Sequence, residues 1–410
     1  MNLANNKNSN RKILVCFFIL ILTTNFFDAI IFRDIGRPLV IMSFIILLFF
    51  LKKCRRDDYN MKQWVICIWI MIFGSIVYSN IVNGQSLLDV AVSSYFAFGF
   101  ASFFVFQYFR LSYSDSITLI RVFSVFFCVC YLIQSASYPY VFFSGALVES
   151  EFNENYNRMR MSCSVCSYCL LFYGINRLCL KRDLRFLFYV FLGFFPILIM
   201  GFRSLNVLTI LFTIYLIIAA TKKMAHLTTV FVISAIISLT LLNIPLVQDK
   251  IEEMMIRQEN EQTFGNKDYV RYSSLYYYSN VFDKTTDRIF GGGVPKVPGN
   301  LTSEDPYIRK FCMGYQYGLF WNDLGLIGLG FVLGFPTVLV IIILTIRTII
   351  HCQERDILFI RCTLLTIMLG SIMTSQEFYR SGNFVFIGLL MYADYIYHKK
   401  KNESRYFNIS

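Results

Sequence analysis

Arg158, Arg160, Arg203, Arg271 and Arg380 stand beside or between apolar runs. A guanidinium so placed is a strong ligand for phosphate, because its planar fork engages two oxygens at once. Arg203 is the sharpest case. Gly201-Phe202-Arg203-Ser204 joins two apolar runs with almost no loop, so the charge must sit at the membrane edge against protein or a wet cavity. The plainer reading is an interfacial arginine that snorkels its head into water. Arg380 follows Glu377 by three residues, a spacing that also makes a simple local ion pair worth roughly a few tenths of a kcal/mol. Arg158 and Arg160 follow Asn153, Asn155 and Asn157, a polar approach suited to hydroxyl-rich ligands, although a solvated or orienting role also fits. Arg271 precedes Tyr272, Tyr276, Tyr277 and Tyr278, rings that serve either as platforms for sugars or as packing against the bilayer.

Several chemistries are excluded by what is missing. There is no H-E-x-x-H, no G-x-x-x-x-G-K-[ST] and no paired-cysteine metal site, so zinc chemistry and ATP hydrolysis are not expected. No cofactor or metal is called for where arginines supply the positive charge. Cys163, Cys166 and Cys169 have the spacing of an iron–sulfur run, but the fourth cysteine and its proline are absent, and the segment reads as a small-residue helix face. Most of the other cysteines also fall inside apolar runs as packing residues.

Composition sets where these residues must act. Of 410 residues, 56% are hydrophobic and 16% charged, with 43 Phe and 26 Tyr, whereas about a quarter of the residues of a soluble domain are charged. Mean hydropathy is +0.55. Apolar runs recur near 13–31, 38–51, 64–82, 88–109, 117–136, 161–177, 185–201, 204–220, 225–244, 321–346, 357–374 and 382–397. The expected fold is an all-α integral membrane protein of about twelve transmembrane helices. The first run follows Arg11 and Lys12 but lacks a small-residue cleavage site, so it reads as a retained anchor. The net charge of +12 would suggest a nucleic-acid partner in a soluble protein. Here none is expected, because the basic residues occupy every second connection and orient the chain.

Those basic connections include Lys52 and Lys53, Arg110, Lys181 and Arg182, Arg355, and Lys399 to Lys401. The positive-inside rule puts them, and both termini, in the cytoplasm. The alternate connections, 80–87, 137–160, the turn near Gly201, 245–320 and 375–381, then face outward. Residues 245–320 exceed an ordinary connection and should carry their own secondary structure and the activity. Within them, 247–262 reads as an amphipathic helix and Gly291-Gly292-Gly293-Val294-Pro295 as a flexible turn. The chain thus divides into an N-terminal bundle of about nine spans (1–244), the large outer loop (245–320), C-terminal helices of about three spans (321–398) and a basic tail (399–410). His226, His351 and His398 all fall at the cytoplasmic edge, so no histidine can be a base outside. An outer acid or base must be a carboxylate or phenol, and Asp323, Glu377 and Tyr315 are the candidates. Asp28 and Asp89 also sit where charge is expensive.

In their order these features resemble the O-antigen polymerase (Wzy) and O-antigen ligase family of bacterial membrane glycosyltransferases. Asn157-Arg158-Met159-Arg160 looks like that family's first outer arginine segment, and Gly201-Phe202-Arg203-Ser204 like its S-R-S/G entry. Arg271 ahead of Ile289-Phe290-Gly291-Gly292-Gly293 is similar to its R … P-x-x-G-x-G pattern. Trp321-Asn322-Asp323-Leu324-Gly325-Leu326-Ile327-Gly328 looks like its E-x-G-x-x-G. The layout covers nearly the whole chain.

The resemblance implies a multi-pass enzyme of the bacterial inner membrane that moves a growing glycan from undecaprenyl diphosphate to a lipid-linked repeat unit, for O-antigen or capsule, at the periplasmic face. It implies Arg203 and Arg271 as diphosphate clamps, and a chain-length regulator and a flippase as protein partners. The ligase branch expects a histidine before the E-x-G-x-x-G stretch, and Met313-Gly314-Tyr315-Gln316 holds none. Besides the ligase, a flippase for the same lipid-linked unit is the alternative. It also has about twelve spans, but it commonly has two similar halves and short loops. A membrane acyltransferase would want a histidine in its site.

Overall fold

A computed structural model of the chain describes residues 2–32, 36–54, 59–137, 140–143, 161–200, 203–221, 270–295, 314, 319–373 and 382–407. Among these the chain is helical, with one isolated β-bridge between Ala29 and Phe143 and no longer strand. The α-helices are α1 (Asn2–Thr23), α2 (Gly36–Lys53), α3 (Met61–Asn83), α4 (Leu87–Ser93), α5 (Ser102–Phe109), α6 (Tyr113–Ala136), α7 (Val165–Lys181) and α8 (Leu187–Met200). After them come α9 (Arg203–Thr221), α10 (Val270–Val281), α11 (Thr285–Phe290), α12 (Gly325–Leu333), α13 (Phe335–His351), α14 (Leu358–Met373) and α15 (Asn383–Phe407).

Local sequence explains where these helices stop and start. Helix α3 runs through an apolar stretch and ends on Gly84, whose φ of 71° closes the last turn. Helix α6 opens on a reciprocal capping box, with Asp115 N donating to Ser112 Oγ and Ser112 N donating to Asp115 Oδ2, each at 3.2 Å.

Among the described residues three helical segments are long and apolar enough to cross a membrane alone: Met61–Asn83, Tyr113–Ala136 and Ser204–Thr221. Leu87–Ser93 and Tyr95–Phe109 together make a fourth, bent by 56°. The described residues are therefore mostly helical and include three or four segments long and apolar enough to cross a membrane, and not every one of the twelve hydropathy runs forms such a segment among them. The physical reasons are local. The run 321–346 breaks at Gly334 into α12 and α13. The run 88–109 bends through a wholly buried 3-10 stretch, Tyr95–Ala101. The run 13–31 leaves its helix at Thr23 and passes through Asn25, Phe26, Phe27 and Asp28, all with positive φ. The run 225–244 and the amphipathic stretch 247–262 lie outside the described residues.

Helix α15 runs through the middle of the packing. Every residue from Phe384 to Ala393 is buried, against the 3-10 stretch, α5 and α6. Phe384 sits edge-on to Phe100 at 4.7 Å, and Ser102 Oγ donates to Val385 O at 2.7 Å. Helix α7 packs on α6, α8, α9 and α14. In lipid, exchanging an apolar contact for an acyl chain gains little, so such close approaches and interhelical hydrogen bonds carry the association. Apolar side chains such as Ile66, Ile70, Phe73, Val77 and Ile81 of α3 remain exposed, as a face turned to acyl chains requires.

Candidate functional site

The long stretch 245–320 contributes α10 and α11, and both are fixed by packing. Tyr278 of α10 is fully buried and donates to Leu319 O at 3.0 Å. Its ring stacks on Phe282, 6.4 Å away. Helix α10 packs against the 3-10 turn Trp321–Leu324, which carries Asp323. Gly314 lies against Tyr277 and Tyr278, and its carbonyl accepts from Leu319 N at 2.7 Å. Arg271, one face turn before Ser274, and Asp323 are both half-buried. Of the four tyrosines, Tyr272 and Tyr276 are 67% and 68% exposed, so these two are open as platforms while Tyr278 is a packing residue.

The turn that holds Asp323 also touches the C-terminal third of the chain. Gly325 has φ +62° and lies against the carbonyls of Ser371 and Ile372, with no room for a Cβ. The last turn of α14 is thus pressed on the Asp323 turn, just before the stretch that holds Glu377 and Arg380. Two residues earlier, Gly370 faces Leu205, in the first turn of α9, the helix that Arg203 opens. On the other flank, Cys163 Sγ lies 3.5 Å from Gly382 O, and Val165 N donates to Asn383 Oδ1 at 3.3 Å. The residues after Arg160 and those after Arg380 are therefore neighbours. Ser162 Oγ, in turn, hydrogen-bonds Asp28 Oδ2, and Asn25 Nδ2 reaches Asp28 Oδ1 at 3.0 Å.

The segments that carry or flank the sequence-derived candidates converge at one end of the helix packing. Asp323 and Arg271 sit on adjacent elements there, and the backbone of Arg203 opens α9 beside α14. The side chain of Arg203, and Arg158, Arg160, Arg380, Glu377 and Tyr315, lie outside the described residues. Asp89 is half-buried in the first turn of α4. Among the described residues, no group of three His, Cys, Asp or Glu side chains is arranged to hold a metal ion.

One expectation is corrected. Gly291 to Pro295 is no flexible turn: all five residues are buried. Gly292 N donates to Phe331 O at 2.8 Å and Gly293 N to Val332 O at 3.0 Å. Gly292 O accepts from Ser79 Oγ at 2.7 Å and Asn83 Nδ2 at 3.1 Å. The glycines serve close approach rather than mobility. A Cβ on Gly291, at φ +76°, would collide with Gly334 N. This strap ties the loop to α3 and to the break between α12 and α13. Tyr78, which donates to Asp287 Oδ1 at 2.5 Å, is a further tie that the sequence reading missed.

A second polar cluster also went unseen. Asp394, wholly buried in α15, accepts from Tyr59 OH at 2.8 Å and Cys352 Sγ at 3.2 Å, and lies 3.2 Å from His398 Nε2. A carboxyl inside an apolar run was the available signal. No protein-family model, curated protein or solved structure matches the chain.

Proposed function

We propose that this chain is a polysaccharide polymerase of the O-antigen polymerase type, working at the outer face of a bacterial inner membrane. The observation that supports this reading most is the convergence just described. Separated stretches of sequence, at residues 161–163, 203–205, 271–278, 321–325, 370–373 and 382–383, meet at one end of the packing, and each carries or adjoins an arginine or acid suited to the reaction. Polyprenyl tails remain in lipid while the Arg203 and Arg271 guanidinium groups hold the diphosphate and neutralise the charge that grows on it as the anomeric carbon is attacked. Arg158, Arg160 and Arg380 extend that field. A carboxylate or phenol, from among Asp323, Glu377 and Tyr315, takes the proton of the attacking sugar hydroxyl. Tyr272 and Tyr276, open to solvent, give sugar rings a surface to stack on.

Substituting Arg203→Ala should abolish long glycan and leave single repeat units on lipid, visible as a one-repeat ladder on a surface-glycan gel. Arg271→Lys should retain less than Arg271 does, because a point charge replaces a two-toothed fork. Full-length glycan in the Arg203→Ala strain would refute the proposal. Accumulation of lipid-linked units on the cytoplasmic side would identify a flippase instead.

A further inference from the structure

Most cysteines here are spaced apart in packed helix faces, but two confront each other. Cys163 Sγ and Cys166 Sγ are 3.5 Å apart, and both residues are wholly buried. Cys163 precedes the N-cap Ser164 with a left-handed φ of 69°, and Cys166 lies in the first turn of α7. Residues three apart on a helical turn share one face, and the left-handed backbone swings the Cys163 side chain onto that face. The sulfurs need to close by only about 1.5 Å to reach the ~2.05 Å of a disulfide bond.

The place of the pair gives the bond a consequence. The turn 161–164 and the first residue of α7 are held from two sides: Ser162 bonds Asp28, while Cys163 lies against Gly382 O at 3.5 Å and Val165 N reaches Asn383 Oδ1 at 3.3 Å. This is the joint where α7, α15 and the turn after α1 meet. We propose that Cys163 and Cys166 are a redox pair that closes into a disulfide and staples this entry turn of α7. A thiolate of one cysteine attacks the disulfide of a thiol–disulfide oxidoreductase, giving a mixed disulfide. The second thiolate displaces it. Two electrons and two protons pass to the oxidant, which leaves as a dithiol, and one S–S bond replaces two S–H bonds. Because both thiols are covered in the packed protein, closure takes place before the turn seats or during its local opening. That such an oxidant is met at all rests on the outward orientation proposed above, since disulfides persist outside the cytoplasm.

The test uses the full chain purified without reductant, denatured, capped with a maleimide and cut with trypsin. Cleavage after Arg160 and Arg177 releases Met161–Arg177, which holds Cys163, Cys166 and Cys169. The expected peptide carries one maleimide and is lighter by two hydrogens, and prior reduction raises it to three maleimides. The Cys163→Ser variant should carry two without reduction. If it carries none, Cys166 pairs with Cys169 and the proposal fails. A second arm exposes reduced, folded protein in detergent to diamide, an azo oxidant that accepts the same two electrons. Three maleimides as isolated but one after diamide would uphold the pair and overturn only the orientation. Three in both arms would overturn the pair.

Discussion

Asp323 and Tyr78 illustrate what single residues reveal and conceal. Asp323 could be named from sequence as an acid–base candidate because, with every histidine assigned to the opposite edge, only carboxylates and phenols were left for that role. Tyr78 could not, because its partner Asp287 lies 209 residues away and no periodicity encodes that pairing. The phenol donates to a carboxylate oxygen at 2.5 Å in a residue only 6% exposed. Removing the hydroxyl leaves a buried acceptor short of a donor, which costs about 1–3 kcal/mol. Tyr78→Phe should therefore lower thermal stability in detergent by that order, read from the unfolding midpoint. An unchanged midpoint would mean that water replaces the donor. Gly291→Ala should be harsher, about 3 kcal/mol from the added volume alone, because its φ of +76° and the backbone of Gly334 both oppose a side chain.

At the level of helices, hydropathy found the apolar runs but not their bends. A window average registers how apolar a stretch is and carries nothing about direction, so the buried 3-10 stretch Tyr95–Ala101 and the break at Gly334 were invisible to it. The second break did leave a trace, in Gly334 followed by Pro336, which sits where a helix begins. The cluster around Asp394 was hidden for a different reason: its donors Tyr59 and Cys352 come from connections 335 and 42 residues distant. That cluster gives the end of α15 a dependence on pH. His398 lies beyond the apolar run, 31% exposed, with Nε2 3.2 Å from Asp394 Oδ1 and 3.1 Å from His351 O. The Asp394 carboxyl, ahead of the opposing desolvation, raises the imidazole pKa above its ordinary 6.5. The His398 ring lies 5.9 Å from that of His351 and 5.6 Å from that of Tyr397, Tyr59 and Cys352 donate to the same Asp394, and Glu354, paired with Lys401, adds its charge. A pKa raised by folding stabilises the folded state fully below the unfolded value and loses that contribution as pH rises through the folded value. Melting temperatures in detergent should thus fall as pH rises above the ordinary imidazole value of 6.5 for the native chain and stay flatter for His398→Gln. Parallel curves would remove the imidazole from the docking of α15.

At the scale of the molecule, the described connections sort to two ends. At one, Lys62 Nζ donates to Cys54 O at 2.8 Å, Tyr392 OH to Leu111 O at 2.9 Å and Asn176 Nδ2 to Arg355 O at 3.1 Å. Arg177 pairs with Asp356 at 3.5 Å beside them. At the other end, Ser43 Oγ bonds Leu22 O at 3.2 Å, Ile30 N bonds Phe142 O at 2.7 Å, and the turn 161–164 meets Gly382. Lys52, Lys53, Lys62, Arg110, Arg177, Lys181, Arg182 and Arg355 gather in the described connections near the first end, while the strap, the Asp323 turn and the segment with Arg271, Lys284 and Arg288 lie away from it. Charge asymmetry of this kind sets which end stays with the ribosome during insertion. Single cysteines introduced into a variant whose native cysteines are replaced by serine or alanine should therefore divide cleanly. At Asn83 and Asp283 a membrane-impermeant maleimide should label intact spheroplasts, whereas at Asp183 and Glu403 it should label only after the membrane is opened. The opposite pattern would place the arginines in the cytosol, where no diphosphate awaits polymerisation, and would end the polymerase reading outright.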